Sequence, residues 1–229
     1  MEQIAFLGSF DKKDLLLNMA KILETLRFRV LIIDATLMQR LRYIVPNVGK
    51  NNSITYVSEY QGIDIAVGFM NTMGILQYLN VSEIPYDFVL IDTDNVQTMN
   101  SFRIENVRKK FFVTSYDQYE ISRMIETFQF FNKTMEIYKV IISADITEQQ
   151  EQYLNRLLTD TPIVTNKNIQ INFADSIEDR KTTLQNQLTK EIRLKFYTNL
   201  YKGSLEYLTA VATEGIVNQG DIRKTIKKL

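Results

Sequence analysis

The chain has 229 residues, 45% of them hydrophobic and 24% charged, with 27 Lys plus Arg against 27 Asp plus Glu. This is the composition of a folded globular domain with a sizeable core, and its zero net charge supplies no global field that would draw it to nucleic acid or a membrane. Without cysteine or histidine there is no disulfide framework, thiol nucleophile or imidazole metal ligand. No apolar run approaches the roughly 18 residues of a membrane span, and no charged-then-apolar leader opens the chain, so a cytoplasmic protein is expected.

Glu2 to Leu7 is a short apolar run ending at Gly8 and predicts a strand. The loop Gly8-Ser9-Phe10-Asp11-Lys12-Lys13 leads into a predicted helix whose apolar positions, Leu15, Leu16, Met19, Ile22, Leu23 and Leu26, recur at spacings of three and four. Val30 to Ile33, closed by Asp34, completes a strand, loop, helix, strand unit with an expected right-handed crossover. Ser53 to Val57 and Ile63 to Phe69 predict strands around the turn Gln61-Gly62, either as a hairpin or as separate members of the sheet. A helix over Asn71 to Leu79 precedes a strand at Phe88 to Ile91. Then come a strand at Lys110 to Thr114, a helix at Tyr119 to Phe131, a strand at Tyr138 to Ile142, a helix at Glu148 to Leu158 and a last strand within Thr161 to Asp175. This alternation predicts an α/β fold, a doubly wound, mostly parallel sheet flanked by helices.

After Ile177 the pattern turns helical. Leu184, Leu188, Ile192 and Phe196 form a four-residue ladder running on towards Leu208 and Val211, so residues 177–229 are expected to be a helical C-terminal region of one domain spanning 1–229. Its aromatics, Phe196, Tyr197, Tyr201 and Tyr207, are expected to pack on the domain, and nucleic-acid binding is not expected.

The first half of the chain resembles the MinD/ParA family of deviant Walker P-loop ATPases, whose loop reads KGGxGKT and whose second strand ends in an IDAD-like motif. Counting back from Asp34 without gaps, Lys12 falls on the P-loop lysine, Gly8 on the first loop glycine and Asn18 on an asparagine common in the family's first helix. Tyr86-Asp87-Phe88-Val89-Leu90-Ile91-Asp92-Thr93 is similar to the family's Walker B strand, YDxVhIDT.

The departures from that pattern fall on its working positions. Leu7 replaces the signature lysine that reaches across the dimer, and Ser9 and Asp11 replace the second and third glycines. Glycines let backbone N–H groups close on phosphate oxygens, whereas a carboxylate at Asp11 points negative charge at an anion. Lys13, with no acceptor, stands where a hydroxyl would hold Mg²⁺, and Thr36 replaces the acid that would orient the attacking water. Asp94-Asn95 follows the Walker B strand where the family usually has Pro, and Ser143 lies near its adenine-reading asparagine. Losing one donor aimed at transition-state charge costs about 10²–10³ in rate, so the resemblance implies a member without appreciable hydrolysis and with no cofactor expected.

Two chemistries remain open for the retained residues. Gly8, Lys12, Lys13, Asp34 and Asp92 are the vestigial nucleotide-binding candidates. Asp34 and Asp92 would face the crevice at the carboxyl ends of the strands. There they could hold a metal, or cap loops and pair with Lys12 and Lys13, filling the phosphate site with internal ion pairs. At the C-terminus, Ile222, Ile226 and Leu229 fall on one helical face with Arg223, Lys224, Lys227 and Lys228 around them, similar in character to the membrane-targeting tails of MinD-type proteins. Each basic residue near an anionic surface would add about 1 kcal/mol, so the tail is a candidate contact to a partner or to the inner face of the membrane, against the alternative of a solvated basic end. The functional expectation is a pseudo-ATPase scaffold or adaptor, a homodimer or a partner-binding protein, that helps position or assemble a larger machine. The alternatives are a working switch that binds ATP and Mg²⁺ through the atypical loop, and a ParA-like DNA-partition protein.

Overall fold

The computed structural model describes residues 1–45 and 54–229. Strands β1 (Glu2–Leu7), β2 (Val30–Asp34), β3 (Tyr56–Tyr60), β4 (Ile63–Val67), β5 (Phe88–Thr93), β6 (Lys109–Thr114), β7 (Met135–Ile142) and β8 (Ile163–Phe173) form one sheet in the order β3-β4-β2-β5-β1-β6-β7-β8. Every described pairing is parallel except β3 with β4. That exception is a hairpin whose two loop residues, Gln61 (φ 57°) and Gly62 (φ 82°), both take the left-handed conformation, the turn whose twist matches that of paired strands. The predicted strand beginning at Ser53 therefore starts at Tyr56, and Ser53 itself lies outside the described residues.

The helices are α1 (Lys13–Thr25), α2 (Thr72–Leu79), α3 (Val96–Ser101), α4 (Gln118–Gln129), α5 (Glu148–Thr159), α6 (Ile177–Thr189), α7 (Asn199–Ala212) and α8 (Gln219–Lys228). Side-chain N-caps start most of them: Asn71, Asn95, Asp117, Thr147, Ser176, Thr198 and Asn218 each accept from a backbone N–H two or three residues on. Alternation along the strands sends Ile4 and Phe6 to one face of the sheet and Ala5 and Leu7 to the other. The first face packs beneath α1, α7 and α8, the second beneath α2 to α5, so helices cover both sides of a parallel sheet, as its crossovers require.

The C-terminal region corrects two expectations. The ladder from Leu184 to Phe196 is not one helix: α6 ends at Thr189, Lys190 turns left-handed (φ 55°), and α7 begins nine residues on, after its N-cap Thr198. Leu184 and Leu188 are 64% and 78% exposed, while α6 turns Asp179 and Asn186 inward. Asp179 accepts from the Thr198 backbone N–H at 2.7 Å and hydroxyl at 2.8 Å, and Asn186 donates to the Arg193 carbonyl. Polar anchoring of the following loop thus decides which side of α6 faces in. The tail is indeed helical, but Ile222 and Ile226 are buried against α1 and α7, and Leu229, partly buried, accepts from the Leu194 N–H through its carbonyl. Arg223 forks onto Glu206, leaving Lys224, Lys227 and Lys228 exposed. The apolar half of the proposed membrane contact is therefore core, because α8 closes the layer over α1. Among the described residues no helix is long and apolar enough to cross a membrane.

Within α7, Gly203 has nothing within 4 Å of the position its Cβ would occupy. Gly203→Ala is expected to stabilise the protein by about 0.5–1 kcal/mol, read by urea unfolding, since it removes backbone freedom from the unfolded chain without a clash.

Candidate functional site

The carboxyl ends of β1, β2 and β5 converge on the loop between Gly8 and Lys13. Gly8 has φ 138°, its N–H donates to the Thr93 carbonyl at 3.1 Å, and a Cβ there would lie 2.1 Å from the Val113 carbonyl oxygen. Close approach to β6 is thus sufficient reason for glycine at this position. Leu7, where the resemblance would place a charge reaching across a dimer, is fully buried in the layer beneath α2 to α5.

Lys12 is 1% exposed. Its ammonium donates to the carbonyls of Gly8 and Phe10, the latter at 3.1 Å, and lies 2.9 Å from Asp92 Oδ1. The two carbonyls accept from the ammonium and Asp92 neutralises it as an ion pair, while Asp92 Oδ1 itself has no hydrogen-bond partner among the described residues. Asp92, at the end of β5, is itself buried. Burial raises its pKa to about 7, against the pull of Lys12 and with Asp34 adding to the rise.

Asp34 does not join this pair. Its Oδ1 accepts from the Thr36 hydroxyl at 2.6 Å and the Thr36 N–H at 3.2 Å, and its Oδ2 from the Leu41 N–H at 3.0 Å. It holds the turn after β2, and Thr36 completes the lock by accepting from the Gln39 N–H. The loop after β5 is tied to that turn by Leu37 N–H to Asp94 Oδ1 at 3.0 Å and Ala35 N–H to the Asp92 carbonyl at 2.9 Å. Asp11 lies at the N-terminus of α1, where an anion is favoured. It accepts from the Lys13 N–H and pairs with the Lys13 ammonium and with Arg40 at 2.8 Å. Although burial pushes its pKa up, Lys13 and Arg40 hold it below the usual carboxylate value. Lys13 also reaches Asp14 at 3.2 Å, and Gln187 donates to both oxygens of Asp14.

The space left among these residues is about 30 Å³. A water needs about 10–15 Å³ by such a measure, and small-molecule pockets run to about 300–1,000 Å³. The gap itself is therefore water-sized. No group of three or more acidic residues is arranged to hold a metal ion among the described residues. In this arrangement the lysine is turned inward, Asp34 is a loop cap, and the Asp11 carboxylate stands at the helix N-terminus where an anion would be favoured.

The candidates Gly8, Lys12, Lys13, Asp34 and Asp92 all line this gap, joined by Asp94, noted in the sequence only as a departure after the Walker B strand, and by Arg40, which nothing in the sequence pointed to and which the loop after β2 brings there. Ser143, near the expected base-reading position, donates to the Asp145 carbonyl at 2.7 Å.

The raised pKa of Asp92 predicts a pH dependence. A carboxyl that holds its proton more tightly when folded adds stability fully below its unfolded value of 3.8 and loses it as pH rises through about 7. Urea unfolding across that window should show stability falling with pH, and Asp92→Asn should flatten the slope.

No protein-family model matches the chain, and no curated protein matches it in sequence. Solved structures match it in fold. A ParA family ATPase from Chlorobium tepidum superposes with a TM-score of 0.58 at 12% identity, over 90% of this chain and 97% of that one. The MinC:MinD cell division protein complex of Aquifex aeolicus gives 0.59 at 13%, over 95% and 98%. A complex of a Cyanothece McdA variant with ATP gives 0.58 at 11%, over 95% and 98%. The fold is that of ParA- and MinD-type P-loop ATPases.

Proposed function

We propose that this protein is a non-hydrolysing scaffold or adaptor built on the ParA/MinD fold, serving the positioning or assembly of a larger cellular machine such as a polar, pilus, secretion or division apparatus. The observation that carries this reading is the closed loop site, where Lys12 is consumed by Asp92 and two carbonyls within a gap of about 30 Å³. A nucleotide switch needs loops that reorder around a γ-phosphate and its metal. Here Asp34, Asp94 and Thr36 already tie those loops together. Function then rests on a surface that is constant rather than switched, offered to protein partners or to a second copy of the chain. The solved relatives support partner binding in kind, since one of them is a MinC:MinD complex. A dimer of this chain would lack the trans lysine, so its stability would come from apolar surface.

A second reading, an atypical nucleotide switch, is favoured by two observations. A cavity of about 410 Å³ opens beside the loop, between the start of α1, the ends of β7 and β8, and α6, and the buried Ser9 hydroxyl has no hydrogen-bond partner among the described residues. Phosphate release from ATP with Mg²⁺ decides between the two. The scaffold reading expects no turnover above the protein-free rate; turnover that disappears in Lys12→Ala would overturn it.

A further inference from the structure

Away from the loop, one lysine stands where packing alone would place an aliphatic side chain. Met135, Ile137, Lys139 and Ile141 alternate onto one face of β7, and the other three join the apolar layer beneath α4 and α5. Lys139 is 7% exposed. Its ammonium has one hydrogen-bond partner among the described residues, Asn155 Oδ1 at 3.0 Å, so two of its three N–H groups are unmatched. Such a group is costly to bury unless something accepts those donors.

Two irregularities of the fold converge on this lysine. Along α5, Glu151, Asn155 and Thr159 recur every four residues, a polar stripe on one side of the helix. Along β8, the edge strand, the register jumps: Ile137 pairs with Thr165, but Lys139 pairs with Gln170. The extra residues of β8 interrupt the ladder there. Between them lies a cavity of about 610 Å³, lined by Lys139, Glu151, Asn155, Thr159, Thr165 and Gln170 with three other residues, a size suited to a small organic ligand.

Unmatched donors stand in this cavity beside two acceptors that also have no hydrogen bond among the described residues, the second carboxylate oxygen of Glu151 and Gln170 Oε1. Among the described residues the Thr165 hydroxyl makes no hydrogen bond, and the exposed Asn155 bonds through its Oδ1 alone, leaving its amide N–H groups open to the cavity. Glu151, the carboxylate in the lining, accepts from Gln170 instead of pairing with Lys139. We infer that the cavity binds a small oxyanion, the carboxylate or phosphate of a metabolite-sized ligand, accepted by Lys139 Nζ with the Thr165 hydroxyl and the Asn155 amide as flanking donors. Burial pushes the pKa of Lys139 down while Glu151 opposes the shift, and a bound anion would restore the charged form. The site shares no residue with the loop between Gly8 and Lys13, so it is independent of the scaffold reading.

Isothermal titration of the full chain with inorganic phosphate and, separately, with succinate, at constant ionic strength, tests the inference and distinguishes the two sources of the anion. At least one of the two should bind. Lys139→Met, which keeps an unbranched side chain in an apolar row, should weaken binding by about tenfold or more, as expected for a lost charge-assisted hydrogen bond. Thr165→Val, a change at the half-exposed edge, should weaken it by a smaller factor and keeps the test available if Lys139→Met fails to fold. The inference is overturned if neither anion binds the wild-type chain, or if the folded variants bind as tightly as wild type.

Discussion

Asp92→Ala should cost about 3 kcal/mol or more of folding stability, the penalty for leaving a buried charge without its partner. The charge is Lys12, 1% exposed and 2.9 Å from Asp92 Oδ1, and the two carbonyls that remain cannot neutralise it. The double replacement Lys12→Met with Asp92→Leu should recover most of that loss, because removing both members of a buried pair is often neutral or stabilising. Urea unfolding of the wild type, both single variants and the double variant closes the thermodynamic cycle. A strong favourable coupling between the two positions is the expected result. Additive changes would mean that Lys12 is turned to solvent in solution, open to an external anion.

Gly8→Ala is the second large effect. A φ of 138° is reached readily by glycine and rarely by L side chains, and the new methyl would stand 2.1 Å from the Val113 carbonyl oxygen. Backbone strain of this kind costs about 1–3 kcal/mol, and a clash with backbone cannot be relieved by turning a side chain. The variant should therefore unfold well below the wild type in urea with no nucleotide present, and the Lys12–Asp92 pair should be disrupted with it, since Gly8 supplies one of the carbonyls around the ammonium. Equal stability of Gly8→Ala and wild type would show that the loop can back away from β6 and that glycine is there for another reason.

The central sheet was legible because its strands are continuous apolar runs and α1 repeats its apolar residues at helical spacing. The chain from Glu2 to Asp34 and the strand ending at Asp92 could be placed from sequence to within a residue or two. Helix α3 was not, since six residues capped by Asn95 are too short to show a period. Leu184 and Leu188 carried the spacing of a buried stripe yet face solvent, because Asp179 and Asn186 bind the loop before α7 and set the rotation of α6. In the tail the apolar spacing was real, but whether Ile222 and Ile226 meet a membrane or α1 depends on where α7 brings the chain. At the site, the lysines and Asp92 could be found from their places in the motif. That Asp34 is a loop cap could not, because its partners, the Thr36 N–H and hydroxyl and the Leu41 N–H, are fixed by the shape of the turn. Arg40 over Asp11 is likewise a tertiary contact.

The most direct test of the closed site is isothermal titration of the purified chain with ATP and ADP, with and without Mg²⁺, with light scattering on the same samples. No heat of nucleotide binding and no nucleotide-dependent change in mass are expected. Magnesium-dependent ATP binding that is lost in Lys12→Ala, with a shift from monomer to dimer, would contradict a closed site.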